Sequence, residues 1–88
     1  MGMNSQTTSF AQIKPEIERV LEKSFGPGAA ISVEQGYAGR AHVKIVTPKL
    51  NGLTEEQKQQ LVWEALRSGL GEESQLIAFV LPYGMDEL

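Results

Sequence analysis

One stretch of this 88-residue chain decides its fold: residues 40–70, RAHVKIVTPKLNGLTEEQKQQLVWEALRSGL. Residues 40–47 alternate between apolar and polar side chains, which is the period of a β-strand with one buried face. Asn51-Gly52 then marks a turn. Thr54 and Gln57 have the spacing of a capping box, in which each side chain bonds the backbone N–H of the other residue. A helix is therefore predicted from residue 55 to about residue 68.

The side chains of this helix divide into an inward face and a polar remainder. At about 100° per residue, the predicted inward face is centred on Val62, Ala65 and Gly69, with Leu61 and Leu66 on its flanks. Trp63 lies outside that face, beside Gln59 and Arg67. Two interpretations of Trp63 remain open. It can cover the edge of a thin core, or it can anchor a partner protein, since aromatic side chains amid polar ones are typical of binding hot spots.

The flanking segments supply elements that cover the central stretch. Pro15 is accepted in the first turn of a helix, and Gly26-Pro27-Gly28 is a stop signal, so a first helix is predicted over residues 14–25. Residues 29–35 alternate like residues 40–47, and residues 36–39 (GYAG) join the two runs as a hairpin. The apolar run at residues 75–81 predicts a strand in the interior of the sheet.

The element order α-β-β-α-β predicts the fold class. It corresponds to a two-layer α+β domain, with a mixed three-stranded sheet and both helices on one face. The predicted domain spans residues 14–84. Residues 1–13 are expected to be a mobile N-terminal segment, because the first nine are small, polar and unpatterned, and residues 85–88 are expected to be a short tail.

Composition restricts the function and the compartment. Eleven acidic residues against eight basic ones give a net charge of −3, which argues against unspecific binding to nucleic acid or to anionic membranes. The chain has no cysteine, so it has no thiolate ligand and no thiol nucleophile. No apolar run has the length of a membrane span, and the N-terminus lacks the pattern of a signal peptide. The sequence therefore predicts a small cytoplasmic domain.

Two motifs resemble the BolA family. Residues 46–52 (VTPKLNG) and residues 61–66 (LVWEAL), followed by an apolar strand, are similar to that family's strand ending in Val-Ser, its aromatic-x-Gly turn and the apolar part of its following helix. Where the family helix begins with Arg-His-Arg, this chain has Lys58-Gln59-Gln60, so only Lys58 retains the basic character. The resemblance covers about residues 14 to 83. It implies a fold similar to a type II KH domain, and a monothiol glutaredoxin as partner.

The same resemblance bears on a cofactor. In the family, a histidine that opens the last strand helps to ligate a two-iron, two-sulfur cluster shared with the glutaredoxin, and a second ligand comes from the loop between the first strands. Here Leu76 takes the first position, and residues 36–39 contain neither His nor Cys. We therefore expect neither a cofactor nor a shared cluster. His42, the only histidine, is a remote metal candidate, because one imidazole without further ligands makes a poor site.

The candidate binding residues form two sets. For a protein partner they are Lys58, Gln59, Trp63, Arg67 and Leu76. For nucleic acid they are Arg40, Lys44, Lys49 and Lys58.

The sequence predicts no enzyme. Its adjacent carboxylates are expected at helix ends or in loops, without a second converging element, and the single histidine has no marked nucleophile near it in the sequence. The preferred hypothesis is a BolA-like interaction or regulatory module. The alternatives are a KH-like nucleic-acid-binding or transcription-regulatory protein, and a homodimer that pairs its strand edges.

Overall fold

The computed structural model describes residues 9–88 and confirms the predicted order of elements. Helix α1 spans Phe10–Phe25, strand β1 Ala30–Gln35, strand β2 Ala41–Val46, helix α2 Glu55–Leu70 and strand β3 Ile77–Tyr83. Short 3-10 turns lie between and after them, at Tyr37–Gly39, Pro48–Leu50, Gly71–Leu76 and Met85–Glu87. Residues 1–8 of the expected mobile segment lie outside the described residues.

Helix α1 begins four residues earlier than predicted. Ser9 is its N-cap, and Ser9 and Gln12 form a capping box, so Pro15 lies inside the helix and not in its first position. A proline there leaves the carbonyl of Ala11 without its usual N–H donor. Both residues are exposed, so water can reach the carbonyl, and the helix continues. The predicted helix start at residue 14 was therefore wrong, and residues 10–13, which were expected to be mobile, belong to the helix.

The sheet has the order β1-β2-β3, with β2 in the centre. Strands β1 and β2 are antiparallel, from Ala30 opposite Val46 to Gln35 opposite Ala41, whereas β2 and β3 are parallel, with an irregularity at Ala41/His42. Strand β3 thus lies at an edge, and its predicted interior position was wrong. Pro82 lies within β3 and has no N–H for a ladder, which fits an edge strand and not a central one.

The outer edge of β3 is partly closed by helix α2. The backbone N–H of Thr47 donates to the carbonyl of Tyr83, so that carbonyl faces β2. Backbone groups of a strand alternate in direction, so the carbonyl of Val80 faces the opposite side. It accepts a hydrogen bond of 2.8 Å from Nε2 of Gln59. A side chain of α2 therefore satisfies an acceptor that the sheet leaves unpaired.

The core lies between the two helices and one face of the sheet. Val33, Val43, Ile45 and Val80 point from the sheet into it, and Ile13, Ile17, Leu21, Val62 and Leu66 from the helices. The inward face of α2 is centred on Lys58, Val62 and Leu66, which differs from the prediction. Leu61 is 41% exposed. Gly69 lies against α1, where a Cβ would come within 2.7 Å of the methyl groups of Val20.

The C-terminal residues are fixed to the rest of the domain and do not form the expected tail. Oδ1 of Asn51 accepts the backbone N–H groups of Met85 and Asp86, and Oδ2 of Asp86 accepts that of Gly52. The turn at Met85–Glu87 therefore closes over the loop that precedes α2. Within residues 9–88, neither helix is long and apolar enough to cross a lipid bilayer.

We expect Gly84→Ala to destabilise the domain. An added Cβ would lie 2.5 Å from Oδ1 of Asp86 and 3.0 Å from Cα of Asn51, so the C-terminal turn would have to move. Overpacking of this kind costs about 1–3 kcal/mol in free energy of unfolding. Urea denaturation measures it. Gly28→Ala is the matched control, because its Cβ would meet no atom within 4 Å. Equal stability of the two variants would contradict this account of the turn.

Candidate protein-binding surface

Trp63 lies on the flank of α2 that is closest to the outer edge of β3. Its ring is partly buried against the core, and its Nε1–H donates to Oε1 of Gln59 at 3.1 Å. Gln59 in turn donates to the carbonyl of Val80. These two hydrogen bonds connect the indole to the sheet. Trp63 lies outside the centre of the inward face, as predicted.

Arg67 fixes the same indole from one turn further along α2. The carbon of its guanidinium group lies 5.4 Å from the centre of the Trp63 ring, which is within the range of a cation–π interaction. Arg67 itself is exposed. We call Gln59, Trp63 and Arg67 the Trp63 surface. It presents a partly exposed aromatic ring and a guanidinium group in a set geometry.

Lys58 does not contribute to any exposed surface. It is 2% exposed, and its Nζ lies 2.6 Å from Oε1 of Glu87 and 2.8 Å from Oε2 of Glu55. The same oxygen of Glu87 accepts the backbone N–H of Gly84. The ammonium group thus joins the first turn of α2 to the C-terminal turn. It has no remaining access for a partner protein or for phosphate groups.

The ion pairs shift the titration of both partners. Hydrogen bonds to Glu55 and Glu87 raise the pKa of Lys58 above its ordinary value of 10.5, against the opposing effect of desolvation. The ammonium group of Lys58 and the N–H of Gly84 lower the pKa of Glu87 below 4.5. Both groups are therefore charged at neutral pH.

The other candidate cations lie apart from one another. Arg40 donates from Nη2 to the carbonyl of Gln75, at the start of the sheet. Lys44 is on the face of the sheet that the helices leave open, with Nζ 5.6 Å from the centre of the Tyr83 ring. Lys49 lies in the turn before α2. The four predicted nucleic-acid contacts are thus not brought into one patch.

Leu76 and His42 both pack against other residues of the domain. Leu76 ends the turn before β3 and packs partly buried against the core. The ring of His42 stacks on that of Phe79, with 4.2 Å between the ring centres. It also lies over Gly36, where a Cβ would come within 2.0 Å of Nε2. Among residues 9–88, no three His, Asp or Glu side chains converge as metal ligands would.

The open face of the sheet carries apolar residues that the sequence analysis did not single out. Phe79 and Leu81 are each 42% exposed there. Together with His42, Lys44 and Ser32 they line a shallow depression of about 460 Å³. The sequence of β3 does not alternate between apolar and polar residues, so it gave no direct sign of an exposed face. The exposed face was missed because a uniformly apolar run was interpreted as a strand buried on both faces.

The architecture defines the class of the protein. Two helices cover one face of a mixed three-stranded sheet in the order α-β-β-α-β, and this is a BolA-like α+β fold, as the sequence motifs predicted. The structure is similar to the NMR structure of a BolA-like hypothetical protein from Rickettsia prowazekii, with a TM-score of 0.56 and 25% sequence identity. The match covers 81% of this chain and 90% of the other. No family model and no curated protein matches the sequence.

The Lys58–Glu87 pair makes stability depend on pH at both extremes. Because the pKa of Glu87 is lowered in the folded state, its contribution is present above the unfolded pKa and is lost as pH falls through the folded one. The raised pKa of Lys58 has the opposite effect. The contribution of Lys58 to stability is present at lower pH and is lost only as the pH rises above 10.5.

We therefore expect Glu87→Gln to lower the melting temperature at pH 7 and to flatten its decline between about pH 5 and pH 2. Melting curves recorded by circular dichroism across that range measure both effects. Glu34→Gln, on an exposed strand position, is the control with the same change of charge. A Glu87→Gln curve parallel to that of the wild type would rule out the pair as a source of acid sensitivity.

Proposed function

We propose that this chain is a non-enzymatic, BolA-like interaction module that binds a regulatory partner protein through the Trp63 surface. The observation that carries the proposal is the double fixation of the indole, by Gln59 on one side and by Arg67 on the other. Tryptophan and arginine are the side chains most enriched among binding hot spots. A ring that is already held in place loses little conformational entropy when a partner covers it.

The surroundings of the Trp63 surface support a protein ligand. The backbone acceptor beside it, the carbonyl of Val80, is already satisfied by Gln59. Trp63 and Arg67 are therefore the groups that remain for a partner, which favours recognition through packing and charge. On the open face of the sheet, Phe79 and Leu81 of β3 add exposed apolar area.

A monothiol glutaredoxin is the partner that the family resemblance implies, and we propose it as the first to test. The proposed complex requires no cluster ligand from this chain, since an interface of this kind depends on packing and not on coordination. This agrees with an apolar residue, Leu76, at the position of the family histidine.

Nucleic acid has less support as the ligand. Lys58 is buried in ion pairs, and Arg40, Lys44 and Lys49 lie at separate places. Affinity for a phosphate backbone depends on several cations that act along one track. We therefore prefer a protein partner to the KH-like alternative.

We expect Trp63→Ala and Arg67→Ala each to weaken binding to the glutaredoxin at least about tenfold, which is the effect of removing a hot-spot side chain. Isothermal titration calorimetry measures the affinity, and amide NMR shifts of the labelled domain locate the contact. Visible circular dichroism of the mixture with cluster-loaded glutaredoxin reports whether the cluster environment changes.

Leu61→Ala is the matched control, because Leu61 is exposed on a different flank of α2. Its affinity should equal that of the wild type. Arg67 is exposed, so Arg67→Ala keeps the test valid even if Trp63→Ala loses stability. Shifts that avoid α2 and β3 would overturn the proposed surface, and a changed cluster spectrum would overturn the proposal that no ligand comes from this chain.

A further inference from the structure

A groove runs along the side of the helical layer, on the flank of α2 that carries Leu61. Its volume is about 1050 Å³, which is at the upper end of the range for ligand pockets. We call it the α1–α2 groove. Its lining includes Arg19, Lys23, Lys49, Leu61, Ala65 and Gly69.

The groove is concave because the helices meet through small side chains. At Gly69 the two helices approach so closely that a Cβ would touch Val20. Ala65 and Ser68 precede it on α2, and none of these residues fills the space beside the crossing. Leu61 borders this space and is 41% exposed. The floor therefore combines apolar side chains with small polar ones, and it is open enough for side chains from outside to enter.

The rim of the groove is basic in a chain that is acidic overall. Arg19, Lys23 and Lys49 line it, against the single carboxylate of Glu64. Arg19 is paired with Glu16, but within residues 9–88 the ammonium groups of Lys23 and Lys49 have no ion pair and no hydrogen bond. Since the whole chain has a net charge of −3, this positive charge is local.

We propose that the α1–α2 groove binds an acidic amphipathic helix of a partner protein. Its apolar face would pack on Leu61, Ala65 and the space beside Gly69, while carboxylates on its flanks would meet Lys23 and Lys49. The walls are helices, whose backbone groups are bonded internally, so strand addition is not available here. An apolar groove with a charged rim is instead the surface on which amphipathic helices dock.

The same features disfavour other anionic ligands. The groove has no exposed aromatic ring for stacking bases, since its only aromatic residue, Phe25, is 6% exposed. Single-stranded nucleic acid relies on such rings. A membrane surface needs protruding apolar side chains and a larger basic excess, whereas this site is concave and has two free cations.

This inference is independent of the Trp63 surface, which occupies another flank of α2. A partner can therefore bind to either surface alone. Mutations on one flank distinguish the two proposals, since Trp63→Ala should leave the groove intact.

The test uses a panel of roughly 15-residue synthetic peptides with leucines at helical i, i+3, i+4 and i+7 spacing and glutamates at the flanks. The counterparts carry lysine in place of glutamate. Titration into the labelled full chain, followed by amide NMR, should give shifts at residues 19–25, 49 and 61–69 for the acidic peptides only. The affinity should fall as salt rises.

Lys23→Glu combined with Lys49→Glu should weaken binding of the acidic peptides about tenfold or more, because two favourable charge contacts become repulsive. Lys14→Glu combined with Lys44→Glu makes the same change of net charge outside the groove and should leave the affinity within about twofold. Leu61→Ala should also weaken binding, through lost apolar contact.

Three results would overturn the proposal. In the first, no peptide of the acidic panel binds, or the lysine peptides bind equally well. In the second, reversal of Lys23 and Lys49 leaves the affinity unchanged. In the third, phosphatidylglycerol vesicles or a single-stranded oligonucleotide bind in a way that depends on Lys23 and Lys49, while the peptides do not.

Discussion

The domain depends on the pairing of β2 at both of its edges, antiparallel with β1 and parallel with β3. An antiparallel neighbour can be reached through a short turn, but a parallel one requires a crossover that returns the chain to the same end of the sheet. Helix α2 is that crossover, and it must lie on one face. Together with α1 it covers that face, so the other face of the sheet remains open to solvent.

Because α2 is the crossover, three of its sides have different surroundings. Lys58, Val62 and Leu66 face inward. Val62 and Leu66 lie in the apolar core, and Lys58 forms ion pairs with Glu55 and Glu87. Trp63 lies on a second flank, towards the edge of β3, and Leu61 on a third, towards α1. In a two-layer domain with so thin a core, the crossover helix therefore buries only a narrow stripe and exposes two flanks with different chemistry.

Local signals in the sequence predicted most of the fold, and contacts between distant residues account for the errors. The capping box at Thr54 and the alternation of β1 and β2 act within a few residues, so they could be detected directly. The burial of Lys58 could not, because it depends on Glu87, which is 29 residues away. From the sequence, a lysine between glutamines is expected to be solvated, because only the folded chain brings the carboxylate of Glu87 to it. Likewise, β3 was predicted in the interior of the sheet because its residues are apolar. The missing N–H of Pro82 was the evidence for an edge strand.

The partly closed edge of β3 also affects how copies of this chain can meet. An open sheet edge is a template on which further strands add, and long unprotected edges lead to aggregation. Along β3, an incoming strand would meet Pro82, which donates no hydrogen bond, and a carbonyl of Val80 that Gln59 already occupies. Growth of the sheet is thereby directed to β1, a strand of six residues with glutamate and glutamine at its end. At high protein concentration, the edge of β1 is therefore the more accessible of the two edges for self-association through strand pairing.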